Sequence, residues 1–106
     1  MVASGSEDER RQAIFATVMA IPPGRVCSYG EVARLSQQPG LARFVGRILG
    51  EVDGLPWHRV VRAGGQIAFA QETKKYHEQV RRLVEEGVEV ANGRVQDWKQ
   101  RFWQGY

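Results

Sequence analysis

Two breaker clusters, Pro22-Pro23-Gly24 and Pro39-Gly40, cut the first half of this chain into short helices. Proline has no N–H to donate and disfavours helix in the residue before it, so neither cluster can sit inside a helix. The segments between them carry their own start signals. Ser6 and Glu9 fit a capping box ahead of the apolar stripe Ile14, Val18, Ile21. Ser28 and Glu31 fit a second one ahead of Val32, Ala33 and Leu35. In such a box each side chain satisfies an orphan N–H of the first turn. A third helix is predicted from about Leu41 to Gly50. Two short helices joined by a tight turn over residues 28–50 read as a helix-turn-helix.

The second half reads as mixed. Arg59–Ala63, Gly64-Gly65 and Gln66–Phe69 predict a hairpin. A helix is predicted over Thr73–Glu86, with Tyr76, Val80, Leu83 and Val84 inward and Gly87 as its stop. Val88–Ala91, Asn92-Gly93 and Arg94–Trp98 predict a second hairpin, Asn-Gly being a favoured two-residue turn. The expected fold is α+β, one small domain over residues 1–106, with a winged-helix-like helix-turn-helix core and short β-hairpins. The aromatics Trp98, Phe102, Trp103 and Tyr106 are expected to pack on that core, with a partner-docking surface as the alternative.

Composition excludes several function classes. One cysteine cannot make a disulfide framework, and one cysteine with two histidines is too few for a closed zinc site. No metal and no cofactor is expected. No apolar run approaches the roughly 20 residues of a membrane span, and the first residues lack the apolar core of a signal peptide. A cytoplasmic monomer away from membranes is the expectation. The net charge is +3, and residues 25–62 alone carry +3. Twelve of the fifteen cations are arginine, the residue suited to planar, bidentate contact with phosphates and bases. A local anionic partner, nucleic acid first, competes here with a scattered solvated surface.

The third helix sharpens that choice. On a wheel of about 100° per residue, Leu41, Phe44, Val45, Ile48 and Leu49 share the core-facing arc. Arg43, Gly46, Arg47 and Gly50 share the opposite one. Glycine costs about 1 kcal/mol in a helix interior, so two on one face call for a reason. Close approach of the helix backbone to DNA is one reason, and helix packing inside the protein is the other.

The stretch Pro56-Trp57-His58-Arg59-Val60-Val61 adds a third motif to Ile21-Pro22-Pro23-Gly24-Arg25-Val26-Cys27-Ser28-Tyr29-Gly30-Glu31-Val32-Ala33 and Leu41-Ala42-Arg43-Phe44-Val45-Gly46. Together, over about residues 10 to 90, they resemble the DNA-binding domain of O6-alkylguanine-DNA alkyltransferases. That family has a Pro-Cys-His-Arg-Val motif whose cysteine takes the alkyl group from the damaged base. Here Trp57 stands in that place, the mark of the alkyltransferase-like proteins. An indole offers only an N–H and no nucleophilic lone pair, whereas transfer needs a thiolate. The family's asparagine before the motif is also missing from Glu51-Val52-Asp53-Gly54-Leu55. Cys27, between Val26 and Ser28, reads as a buried structural thiol, with a reactive nucleophile as the weaker alternative. His58 reads as a structural hydrogen-bonding residue, Arg59 as half of an internal pair and His77 as a surface residue.

The resemblance implies binding of O6-alkylguanine in double-stranded DNA through the minor groove, flipping of the damaged nucleotide without alkyl transfer, and hand-over to nucleotide excision repair proteins. It implies no catalytic residue. Arg43 matches the finger arginine that fills the vacated stack, in a DNA-binding set with Tyr29, Ala42, Gly46 and Arg47. Tyr29 matches the tyrosine that crowds the flipped phosphate. The lesion pocket implied is Tyr29, Leu49, Trp57, Val60 and Ala70. Trp57 is either a pocket wall or a core residue filling the space of a lost active site. The transferases place a tyrosine near Ala70, so a methyl there predicts a pocket open on one side and tolerant of bulky adducts. Two rivals stay in view: a helix-turn-helix regulator reading the major groove, and an active transferase using Cys27.

Overall fold

The structure, a computed structural model, describes residues 7–106, and the capping box at Ser6 lies outside the described residues. Helix α1 (Glu7–Ala20) opens with Glu7, Asp8 and Glu9, negative charge that its N-terminal dipole favours. It buries Ile14 and Val18, and Ile21 follows them inward. The chain then turns through Pro22-Pro23-Gly24, Arg25 N–H donating to Pro22 O at 3.1 Å. Strand β1 (Cys27–Ser28) delivers Ser28 as the N-cap of α2 (Tyr29–Leu35), its Oγ accepting from Glu31 N–H at 3.0 Å. The Glu31 carboxylate takes Arg34, whose Nε donates at 2.9 Å. Helix α3 (Ala42–Ile48) is shorter than the Leu41–Gly50 span predicted, although Leu49 keeps helical angles beyond it. It buries Val45, Ile48 and Leu49.

The first predicted hairpin does not form as a ladder. Strand β2 (Val60–Val61) pairs in parallel with β1, Cys27 opposite Val60 and Ser28 opposite Val61. Gln66 instead bridges to Arg94. Val60 and Val61 are both fully buried, the pattern of a strand covered on two faces rather than of a half-exposed ribbon. The glycine loop still turns the chain, with φ of 82° at Gly64 and 93° at Gly65. A Cβ at Gly65 would lie 3.0 Å from the Trp98 ring, so that ring packs where a side chain would otherwise stand.

Helix α4 (Lys74–Glu85) is capped by Thr73, whose side chain accepts from Tyr76 N–H. Leu83 is buried as expected, but Val84 is 55% exposed and Gln79 is fully buried in its stead. The Gln79 amide earns its place by donating to His58 O at 3.0 Å and Val60 O at 3.1 Å, which ties α4 to the motif strand. The second hairpin forms around the predicted Asn92-Gly93 turn, both residues at positive φ, but its strands are shorter than the predicted Val88–Ala91 and Arg94–Trp98: β3 (Val90–Ala91) runs antiparallel to β4 (Arg94–Val95), and Asp97 at φ 56° turns the chain into a helix at Trp98. After α5 (Trp98–Arg101), Trp103 joins the core formed by α1, α2 and α3, its N–H donating to Val26 O at 2.7 Å. Trp98 packs with the second cluster, around Val61, Leu83 and Val95. Tyr106 alone of the four C-terminal aromatics is exposed.

The result is α+β, with the helical half and the small ribbons meeting along β1 and β2. No described helix is long and apolar enough to cross a membrane.

Candidate nucleic-acid interface

The cap at Ser28 places Tyr29 at the first position of α2, with its ring alongside α3. A Cβ on Gly46 would lie 3.6 Å from Tyr29 Cε1, an ordinary contact distance. The packing of Tyr29 therefore does not require a glycine at 46, and what the missing side chain does is keep that surface low. A Cβ on Gly50 would meet nothing within 4 Å, so no neighbour inside the protein requires that glycine. Arg43, Gly46, Arg47 and Gly50 are all exposed, as the helical wheel predicts.

Beside this face lies a cavity of about 160 Å³, lined by Tyr29, Gly46, Arg47, Leu49, Gly50, Trp57, Phe69 and Lys75. An adjoining trough shares Tyr29, Gly46 and Phe69 with it, and adds Ala42, Arg43, Arg62 and Ala68. Between them the two hollows carry Arg43, Arg47, Arg62 and Lys75 and no acidic side chain. Burial pushes the Tyr29 phenol above its ordinary pKa, against a smaller pull from Arg62, so its hydroxyl stays protonated at neutral pH. A neutral donor facing a cationic, partly apolar hollow can meet a phosphate or a base edge.

Trp57 is half-buried at this cavity, its ring edge-to-face with Phe69 at 6.1 Å and with His58 at 6.3 Å. It lines the cavity and also packs against the core. Val60, expected on the wall, is fully buried in the core and is not among the cavity's lining residues. Ala70 is likewise displaced from it. It lines a separate depression with Arg62, Gln66 and Asn92, while Phe69 supplies the wall. At the wall where a methyl of Ala70 was expected, the phenyl ring of the previous residue stands.

Behind the cavity sits a compact charge network. His58 Nε2 lies 2.9 Å from Glu86 Oε2, and Arg59 donates to the same carboxylate at 2.6 and 3.0 Å and to Ile21 O at 2.8 Å. Burial pushes the His58 pKa down despite the pull of Glu86. The arrangement fits, since its Nδ1 is buried without a partner among the described residues and would be an unsatisfied donor if protonated. Burial also raises the Glu86 carboxyl, but the hydrogen bonds from Arg59 and His58 outweigh it and hold the group at about 2. Cys27 is fully buried, and burial pushes its thiol up to about 12, with Glu31 adding to the rise. A thiol held there supplies almost no thiolate at neutral pH. His77 is exposed, as expected.

Sequence reasoning missed Phe69, Arg62 and Lys75. The signal for Lys75 was present: Lys74 and Lys75 stand in the first turn of α4 with no acidic residue there, against the preference of a helix N-terminus.

The low surface at Gly46 carries a testable consequence. Gly46→Ala removes the entropic cost of a helical glycine without a clash, and is expected to raise stability by about 1 kcal/mol. The added methyl stands on the exposed face, so affinity for DNA is expected to fall in the same variant. Thermal unfolding and a binding titration check the pair of effects. A variant that gains in both would show that the low surface serves packing alone.

The family model for the DNA-binding domain of 6-O-methylguanine DNA methyltransferase matches residues 9–88. The "DNA base-flipping protein" of Vibrio parahaemolyticus is 41% identical over 74% of this chain and 79% of its own length. "Alkyltransferase-like protein 1" of Schizosaccharomyces pombe is 35% identical over 87% of this chain and 88% of its own. Among solved structures, S. pombe Atl1 in complex with damaged DNA containing O6-carboxymethylguanine superposes with a TM-score of 0.81 at 33% identity, covering 91% of this chain and 95% of Atl1. The O6-methylguanine methyltransferase of Mycobacterium tuberculosis gives 0.62 at 29% identity, over 77% of this chain and 49% of its own. The chain belongs to the family of the 6-O-methylguanine DNA methyltransferase DNA-binding domain. Within it, the chain falls with the alkyltransferase-like proteins, nearly the whole length of which it spans.

Proposed function

We propose that this chain binds duplex DNA carrying O6-alkylguanine, turns the damaged nucleotide out of the stack and holds it without taking the alkyl group. The observation that carries this reading is the continuity of two features. The exposed Arg43–Gly46–Arg47 face of α3, continued by Gly50 in the turn past its end, runs into an acid-free cavity walled by Tyr29, Trp57 and Phe69. A low, cationic helix face suits the narrow minor groove and its phosphates. An aromatic-walled hollow beside it suits an extruded base.

Each residue then has one task. Arg43 enters the stack and offsets part of the unstacking cost, a guanidinium plane being able both to stack and to hydrogen-bond. Arg47 and Ala42 lie along the backbone of the duplex. Tyr29 directs its hydroxyl at the phosphate of the extruded nucleotide. Trp57 and Leu49 give the base an apolar wall. Trp57 also takes the family's nucleophile position, and Cys27 is too deeply buried to replace it, so binding ends without chemistry. The marked site then passes to nucleotide excision repair proteins, a step supported by the family resemblance. The protein acts as a monomer in this scheme.

Intact-protein mass after incubation with an O6-methylguanine duplex tests the absence of transfer. The expected result is an unchanged mass and a lesion recovered intact from the DNA. A gain of one methyl group, with cleavage products mapping it to Cys27, would show an active transferase instead.

A further inference from the structure

We propose that the cavity prefers guanines whose O6 substituent carries a carboxylate, and that Lys75 is the residue conferring this preference. The proposal rests on the lesion-binding reading and concerns which lesions are held best. Lys75 projects from the first turn of α4 and puts its ammonium 4.1 Å from the centroid of the Trp57 ring. It lines the cavity opposite Arg47 and Gly50 of the α3 side. Its charge has no carboxylate partner among the described residues. The arginines of the same helix do: Arg81 pairs with Glu78 and Glu85, and Arg82 with Glu78. Lys74 is also unpaired among the described residues but does not line the cavity, and Asp53 shares an adjoining hollow with Lys75 without pairing with it.

Two costs make this placement informative. A cation in the first turn of a helix opposes the macrodipole, and here Lys74 and Lys75 both stand there with no acidic residue to balance them. A duplex would also bring a dense array of phosphates to this surface. An adduct ending in a carboxylate adds negative charge to that array, so an uncompensated cavity would reject it relative to a neutral adduct of the same shape. An ammonium resting on an indole face gains only a modest cation–π attraction. Its long stem can swing the head to a carboxylate beside the ring, where a charge-assisted hydrogen bond is the stronger contact. The neighbouring Arg47 guanidinium lies 5.0 Å from the Phe44 ring, on its own helix, and Arg82, 5.7 Å from the Trp57 centroid, is paired with Glu78, so Lys75 is the nearer cation over that ring and the unpaired one. S. pombe Atl1 has been crystallised with O6-carboxymethylguanine; the inference here is a selectivity, and its source in a side chain of α4.

The test uses three duplexes of one sequence: O6-carboxymethylguanine, its neutral isostere O6-carbamoylmethylguanine, and unmodified guanine. Each competes for the wild-type protein, Lys75→Met and Lys75→Arg at one fixed ionic strength. Wild type is expected to bind the carboxymethyl adduct about fivefold more tightly than the carbamoylmethyl one, the scale of a well-placed but solvent-accessible ion pair. Lys75→Arg keeps the preference. Lys75→Met removes or reverses it without lowering the melting temperature, the ratio between the two adducts being the readout, so that any loss of general affinity for DNA cancels. Equal affinity of wild type for the two adducts overturns the proposal, as does a preference that survives in Lys75→Met. Loss of the same factor on all three duplexes in Lys75→Met overturns it too, since that is the behaviour of a phosphate contact. If wild type does not separate the carbamoylmethyl adduct from unmodified guanine, the lesion-binding reading itself fails, a different result from a missing charge preference.

Discussion

Arg43→Ala is expected to lose lesion recognition almost entirely, with affinity for an O6-methylguanine duplex falling about 30- to 100-fold. Unstacking a nucleotide costs a few kcal/mol, and a side chain inserted into the gap offsets much of it. Each 1.4 kcal/mol withdrawn is a tenfold loss. The guanidinium of Arg43 makes no ion pair among the described residues and stands exposed on α3, so its removal leaves the fold intact. What remains is weak association through Arg47, Arg62 and Lys75, strongly dependent on salt. A fluorescent base analogue opposite the lesion, read beside a binding titration, separates the two effects. Full affinity with normal extrusion in Arg43→Ala would remove the finger role and leave an ordinary phosphate contact.

The second large effect lies behind the cavity. Glu86 is the shared acceptor for Arg59 and His58, in a site where their side chains are 14% and 7% accessible. Replacing it by glutamine leaves a nearly buried guanidinium without its counter-charge, and the expected loss of stability is about 3 kcal/mol, the low end for a broken buried pair because Glu86 keeps some contact with water. The same network sets the response to acid. The Glu86 carboxyl is held at about 2 against an ordinary 4.5, so its contribution is complete above 4.5 and is lost as pH falls toward 2. The His58 pKa is lowered from 6.5, so the unfolded chain takes up that proton first, and stability already declines as pH drops below 6.5. Both groups therefore weaken the fold on acidification. Denaturant midpoints measured from pH 7 to pH 3 are expected to fall throughout, and Glu86→Gln is expected to start lower and to decline less steeply below 4.5, where Glu78 and Glu31, also held below the usual carboxylate range by their arginine partners, still contribute. A variant as stable as wild type, with the same acid profile, would show that the network contributes nothing net.

The division between what the sequence makes legible and what it hides has a physical basis. The helices of the first half are bounded by proline and by Ser28, both local signals, and they stand where those signals put them. The apolar arc of α3 follows from its period of 3.6, so Val45, Ile48 and Leu49 are buried and Arg43 and Gly46 are not. Non-local pairing leaves no such trace. Val60-Val61 reads equally well as half of a hairpin with Gln66–Phe69 and as a buried partner of Cys27-Ser28, and only the packing of both its faces decides. Gln79 is polar by composition and buried in fact, because two backbone carbonyls meet its amide. The substitution of Phe69 for Ala70 at the cavity wall is an error of one residue, in a bent segment with no regular period to say which side chain faces the cavity. Lys75 was missed because it lies outside the motifs and reaches the site from α4.

Discrimination between a damaged and an intact duplex, without alkyl transfer, is the central property proposed for this chain. Equilibrium binding to two otherwise identical duplexes, one carrying a single O6-methylguanine, measures it directly. The prediction is at least a tenfold tighter complex with the modified duplex, roughly what one recognised base is worth, and a ratio that collapses toward one in Arg43→Ala. Equal affinity of the wild-type protein for the two duplexes would contradict the account and leave a helix-turn-helix protein that reads something other than damage.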